Sequence, residues 1–506
     1  MSQDTAFMGT GLALQSVGSG LPSLKRVTAQ AHSMNKQHHR FFLFVGEWKP
    51  LLALSMPILL FNLASMGMGF VDTTMAGKAS AHDLAAVAVG SSLWVPVSLW
   101  MYGLLMVLVP VIAGHRGAGV NEPIGQDLIQ TLWIALFSSL IALVYMWFTE
   151  PILLTMEVAP EIVPVTRDYL QAMAFGVPGI ALFYCLNSFC GGMGNTRAPM
   201  VIAVIGLLIN IPANYIFIYG KLGVPAMGAA GCGWATSLSY WIMSLGMLYY
   251  IARHPHYSAL LRDCQIRLCL PRITELLKLG LPISASVFMG GGVFALVALL
   301  VGKLGSTSVA AHQVVLNFSC LTYAVPLSLS SGITIRTGFL LGHGDREQAR
   351  VRVFGGMLLA VAFSSILAVL ILLFPKAILW LYTSDIEVTL MAAALLKYAA
   401  CYQVFDALQA SANGALRAYR DTYVPMIVVA FSFWVIALPL GYFLGMTDWL
   451  VPPMGPAGFW VGLLSGLVLT GVFLSVRLLL VMRSQTDPAE VQQAASAQAV
   501  GSSCQQ

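Results

Sequence analysis

Apolar residues run through this chain in blocks of about 20 or more, separated by short polar, glycine- or proline-bearing breaks. A block of that length covers the ~30 Å hydrocarbon core of a bilayer at about 1.5 Å per residue. The pattern predicts twelve helices, over 48–76, 84–114, 124–149, 163–192, 198–220, 228–252, 273–303, 308–341, 350–383, 387–416, 422–446 and 456–482. The flanking segments 1–47 and 483–506 are polar, small or basic and read as disordered tails. The first of them lacks the short apolar core of a cleavable signal, so the chain from Leu51 onward is expected to insert as a permanent helix.

The pattern occurs twice. Pro57, Gly77, Lys78, Ala85, Ala86, Gly117 and Gly119 recur 225 residues later as Pro282, Gly302, Lys303, Ala310, Ala311, Gly342 and Gly344. Asn187, Thr196, Pro199 and Met200 recur at a spacing of 226 as Asn413, Thr422, Pro425 and Met426. Gly228 and Gly231 recur at 227 as Gly455 and Gly458. A register that drifts by two residues over half a chain marks a duplication. It divides the chain into an N-lobe at 48–252, a linker at 253–272 and a C-lobe at 273–482. In chains this apolar, such duplications build transporters with a site between the halves.

Charge fixes the expected orientation. Of 506 residues 58% are hydrophobic and 9% charged, against roughly 25% charged in a soluble protein. Too little charge is present to solvate a globule of this size. Lys78, Arg167, Lys221, Lys303, Lys376 and Lys397 fall on one side of the predicted bundle, and the other 20 of the 26 lysines and arginines on the side of both termini. The excess of basic residues places both termini in the cytoplasm and the chain in the cytoplasmic (inner) membrane as a multi-pass protein. Six spans per half insert each half the same way round, so the repeat is parallel. The net charge of +5 needs no nucleic-acid partner. Cys185, Cys190, Cys232, Cys264, Cys269, Cys320, Cys401 and Cys504 show no zinc-type spacing and should stay reduced.

No GxxxxGK[ST], HExxH or GxSxG occurs, so neither nucleotide hydrolysis nor an enzyme is indicated. Energy for uphill transport would come from an ion gradient, which directs attention to ionisable groups within the spans. Asp72 lies 21 residues beyond Leu51, or ~32 Å along a straight helix. It is either an interfacial acid that reaches water or the centre of a polar site. Asn210 and Asn214 sit four apart and share a helix face, and Thr236 offers a hydroxyl from the next helix. Together these oxygens suit a proton or a hard cation such as Na⁺. Asparagine pairs in membrane helices also serve as plain interhelical hydrogen bonds. Asp406 lies eleven residues before Arg417, ~16 Å from the helix end, where a charge must be protonated, paired or wetted. Tyr402, one turn earlier, is expected to hydrogen-bond it. His312 reads as an interfacial histidine bonded to backbone. The run Gly290, Gly291, Gly292 weakens its helix and allows a bend or a close contact.

Several stretches resemble the multidrug and toxic compound extrusion (MATE) transporters, in their NorM-like branch. They are VDTTMAG at 71–77, LINIPANYIF at 208–217, AAHQVVLNF at 310–318, IRTGFLLG at 335–342, YQVFDALQ at 402–409 and LRAYRDTYVPM at 416–426. The likeness spans about 50–480 and leaves out the tails. It implies an all-α membrane fold of two six-helix bundles arranged as a V, and export of cationic amphipathic compounds against inward Na⁺ or H⁺. By resemblance Asp72, Asn210, Asn214 and Thr236 form the N-lobe ion site, and Tyr402 and Asp406 belong to the C-lobe site. The substrate cavity is then expected near Asp72 and Asp406. NorM-like proteins often carry a glutamate in the seventh helix, where this chain has Gly290. A lone Asp406 makes a poorer Na⁺ cage than two carboxylates, so proton coupling through Asp72 is favoured. No cofactor beyond the coupling ion is expected, and the chain should act as a monomer in the bilayer. The competing readings are a lipid-linked saccharide flippase, which wants more mid-span cations than this chain has, and an ion channel.

Overall fold

The computed structural model describes residues 46, 48–156, 158–262, 264–449 and 451–484. Nearly all of both expected tails, with Cys504, lies outside them. The described residues are helical with turns and no strand, as the apolar periodicity requires.

The elements follow the expected order. They are α1 (Trp48–Ala79), α2 (Ala81–Gly117), α3 (Glu122–Trp147), α4 (Val163–Ala174 and Val177–Gly192, bent by 45°), α5 (Arg197–Tyr219) and α6 (Ala229–Arg253). The second half comprises α7 (Leu270–Val301), α8 (Ser306–Gly342), α9 (Arg346–Leu373), α10 (Ile386–Ala418), α11 (Tyr423–Met446) and α12 (Pro456–Ser484). Ten of these are long and apolar enough to cross a membrane, and the bent α4 makes an eleventh. The remaining one, α6, is 25 residues long. Its start, AAGCGWATSLS, is rich in small and hydroxyl side chains, which lowers its apolarity. Exposed apolar side chains such as Ile141, Leu208, Leu299 and Ile366 cover the outer faces, the inverse of what water selects.

Local signals explain several boundaries. The Ser80 side chain accepts from the Asp83 amide at the start of α2, and the Asp385 carboxylate accepts from the Glu387 and Val388 amides at the start of α10. Gly220 closes α5 with φ of 66°, a conformation that favours glycine. In α11 the helix widens into a π-turn over Phe431–Ala437.

The helices alternate in direction, so Trp48, Gly117, Gly342 and Ser484 share one end of the bundle, called here the terminal face. Near it the two lobes touch closely. A methyl group on Gly117 would collide with the Phe339 carbonyl, and one on Gly342 with the Gly114 carbonyl. Gly117 and Gly342 are repeat mates, as are Gly114 and Phe339, so the contact is made twice by one duplicated device. Small residues let main chains approach this closely. Further in, Asn62 Nδ2 donates to Ser328 Oγ at 3.1 Å across the lobes. All described side-chain hydrogen bonds between α1–α6 and α7–α12 lie within roughly 25 Å of the terminal face, measured along the helices.

Helix α7 is shared between the lobes. Its first half carries Leu276 and Ile283 into the N-lobe core, with Val287 packed beside them. Its second half carries Val293, Val297 and Val301 into the C-lobe core, beginning with Met289. On the first side Ser284 Oγ donates to the Trp100 carbonyl of α2 at 2.7 Å. On the second, Trp434 Nε1 in the π-turn of α11 donates to the Met289 carbonyl at 3.2 Å. Gly290, Gly291 and Gly292 follow at once, so the run stands where α7 changes partners.

Candidate coupling site

Three helices of the N-lobe converge on Asp72. Its α1 position is buried, 7% exposed. Asn214 Nδ2 on α5 donates to Asp72 Oδ1 at 2.6 Å, and Thr236 Oγ1 on α6 donates to Oδ2 at 2.7 Å. Asn214 Nδ2 also reaches Asn210 Oδ1 at 3.0 Å, and Asn210 Nδ2 reaches Thr236 Oγ1 at 3.4 Å. All four side chains drawn from the sequence therefore meet. The i, i+4 spacing within NIPAN puts both carboxamides on one face, and the small residues around Thr236 let α6 come close. Cys232 Sγ lies 3.6 Å from the Asp72 carbonyl, one turn before Thr236. Hydrogen bonds to a charged acceptor contribute about 1.5–3 kcal/mol each, so this cradle offsets much of the cost of a buried carboxylate. The Asn214 Oδ1 atom is left without a partner, an acceptor beside the acid.

The duplication did not copy this cluster. The repeat mates of Asp72, Asn210, Asn214 and Thr236 are Val297, Ile436, Leu440 and Leu463. The C-lobe places its polar groups on other helices. Tyr402 and Asp406 are both buried on α10, 5% and 6% exposed. The expected hydrogen bond between them is absent among the described residues. Tyr402 instead turns its ring edgewise to Phe294 and Trp460, each 6.1 Å away between centroids. Its neighbour Gln403 donates to Thr322 Oγ1 on α8. The expected bond from His312 to backbone is absent among the described residues: the side chain is 1% exposed and both ring nitrogens lack partners. Its ring lies 6.0 Å from that of Trp460, whose indole nitrogen is also unpartnered. Among the described residues no group of three or more His, Cys, Asp or Glu side chains could hold a metal ion.

Two features escaped the sequence reading. Asp127 on α3, 1% exposed, is gripped by Arg272 at the start of α7 through Nε at 2.6 Å and Nη2 at 2.9 Å, with His115 Nε2 at 3.1 Å. These three lie at the terminal face; His115 and Asp127 flank the turn between α2 and α3, and Arg272 comes from 145 residues further on. The second is Arg417, buried between the lobes. Its position in LRAYRDTYVPM was visible, but its lack of an acidic partner was not.

A family model described as MatE matches this chain twice, over residues 57–216 and 282–443. The chain belongs to the MatE family. These transporters are not enzymes, and the two matched segments reproduce the duplication with its drift of 225 to 227 residues. The MatE chain is 43% identical over 437 residues to "Multidrug resistance protein PmpM" of Pseudomonas aeruginosa, covering 86% of this chain and 91% of that protein. It is 42% identical to "Multidrug resistance protein NorM" of Aliivibrio fischeri, covering 86% of this chain and 95% of the relative. The expectation of a NorM-like MATE member is thereby borne out. The fold matches that of the "eukaryotic MATE transporter AtDTX14" with a TM-score of 0.77 at 19% identity, over 87% of this chain and 98% of that one. An "outward-facing conformation of a multidrug resistance MATE family transporter" matches with a TM-score of 0.75 at 19% identity, over 86% and 96%.

Proposed function

We propose that this MatE protein is a multidrug efflux antiporter that exports cationic amphipathic compounds and is driven by protons entering in exchange. The observation that carries the reading is the isolated, buried Asp72 held by Asn214 and Thr236. A carboxylate so placed attracts a cation when ionised and releases it when protonated. The names of the relatives, all multidrug resistance proteins, support the substrate breadth.

Proton rather than Na⁺ coupling is supported by the donor set. Both carboxylate oxygens already accept from an N–H or an O–H, so Na⁺ would have to turn these donors away and gather several oxygens. A proton needs one oxygen and no cage. Among the described residues no group of three or more His, Cys, Asp or Glu side chains surrounds Asp72, and Gly290 stands where a second carboxylate would complete a C-lobe cage with Asp406. Asp406, with Tyr402, assists as a secondary titrating site.

The terminal face is taken as cytoplasmic because the basic residues gather there. With the lobes joined at that face, the arrangement corresponds to a carrier closed to the cytoplasm. Protonation of Asp72 from outside weakens its hold on the drug. The lobes then rock, and α7 bends at Gly290–Gly292, since one half of it is tied to each lobe and the glycines make bending least costly there. The proton need only bind one conformation more tightly than the other. The protein acts as a monomer in the cytoplasmic membrane. Proteoliposomes with separately imposed pH and Na⁺ gradients test this: drug export is expected with the pH gradient alone, and export with the Na⁺ gradient alone would overturn the proton assignment.

A further inference from the structure

Arg417 is a buried cation with no counter-ion. It sits on α10 and is 7% exposed. Its Nη2 donates to Ser330 Oγ of α8 at 2.9 Å, its Nη1 rests against Met106 Sδ of α2 in the other lobe at 2.9 Å, and its Nε has no partner. Among the described residues no carboxylate lies within 4.0 Å of it. The titratable groups near enough to act on it are the phenols of Tyr102 on α2 and Tyr323 on α8. The acids toward the terminal face are engaged with other cations: Asp127 and Glu275 with Arg272, and Asp421 with Arg477. Burying a guanidinium in this way is costly, and a thioether and one hydroxyl return little. The packing does not require the charge, because Ser330 Oγ also donates to the Ala410 carbonyl and ties α8 to α10 without it.

The surroundings suggest what the charge does. The zone where the lobes meet is an apolar cluster of Leu54, Ile58, Met106, Val109 and Ile335 interrupted by polar groups: Ser331, Asn62 bonded to Ser328, and the Ser55 hydroxyl, which has no partner. Polar groups in a seam between two bodies that rock apart let water enter in passing, and a file of water conducts protons. Asp72 and Asp406, which attract cations, both lie farther from the terminal face than Arg417 does. We propose that Arg417 is the electrostatic barrier of this seal, whose uncompensated charge keeps H⁺ and Na⁺ from slipping through the closed half. Ions then cross only with turnover of the carrier, as an arginine in a narrow pore excludes cations. The proposal rests on the reading of the chain as an ion-coupled carrier and adds the residue that keeps the coupling tight.

The test is passive proton entry into proteoliposomes carrying a trapped pH dye, with an imposed pH gradient and no drug. Wild-type protein should be tight. Arg417→Gln should pass protons roughly tenfold faster or more, as expected when a local cation barrier is removed. Arg417→Lys, which keeps the charge, should remain close to wild type. A second pair leaves Arg417 in place. Met106→Glu sets an anion beside the guanidinium and should leak, whereas Met106→Gln, of the same size but neutral, should not. Wild-type tightness of Arg417→Gln would overturn the proposal, as would equal leaks from both Met106 variants. If Arg417→Gln does not assemble, the Met106 pair decides. Drug-driven proton flux in wild-type protein is measured separately, so failure of the antiport reading is distinguishable from failure of the barrier.

Discussion

Alanine at Gly290 and Gly292 together should slow transport without weakening drug binding. A methyl group at 290 meets nothing within 4 Å, and one at 292 meets Trp434 Cζ2 at 3.6 Å, an ordinary contact. Position 291 is left alone because its methyl would come within 2.7 Å of Leu99 Cδ1. Each glycine-to-alanine change strengthens a helix by about 1 kcal/mol. The pair therefore makes a bend in α7 costlier by ~2 kcal/mol, which corresponds to roughly a 30-fold lower rate if the bend lies on the rate-limiting step. The assay is drug export from proteoliposomes at saturating and limiting drug, with a melting curve on the same preparation. The expected result is a kcat reduced toward a thirtieth, an unchanged KM and a melting temperature equal to or above wild type. A kcat equal to wild type in a protein of normal stability would refute the hinge.

The site and the seal give further expectations. Thr236→Val removes a donor that contributes ~1.5–3 kcal/mol to the ionised Asp72, so the KM for a cationic drug should rise by about tenfold or more; an unchanged KM would contradict the cradle. Asp406→Asn should reduce proton-driven export without abolishing it, because among the described residues Asp406 has none of the side-chain hydrogen bonds that hold Asp72; complete loss would move the coupling site to α10. Gly117→Ala and Gly342→Ala each drive a methyl into a main-chain carbonyl of the other lobe. Cysteines placed near Met106 in either variant should then label from the terminal face faster than in wild type, and equal labelling would refute the seal described for that contact.

The parts legible in the sequence were those written in local spacing. The helices follow from apolar runs, and the duplication from glycines and prolines that recur because close contacts such as Gly117–Phe339 and Gly342–Gly114 must be made twice. The Asp72 cluster was readable because NIPAN fixes two carboxamides on one face and the acid interrupts an apolar helix. What stayed hidden depends on tertiary contacts that hydropathy does not encode. Nothing in the composition of α7 separates Ile283, in one core, from Val293, in the other. Tyr402 is one turn from Asp406, the right spacing for a hydrogen bond, yet Phe294 and Trp460 offer its ring more contact. The isolation of Arg417 is a fact about its neighbours on α2 and α8, and no spacing within α10 reports it.

The proposed exchange of proton for drug at Asp72 is most directly tested by following protons as drug binds. Purified protein in weakly buffered detergent solution, titrated with a cationic drug, should release protons in proportion to the drug bound, with affinity falling as the solution is acidified. Asp72→Asn should bind with no proton release. Undiminished release from a folded Asp72→Asn protein, or wild-type binding that is indifferent to pH, would contradict the account.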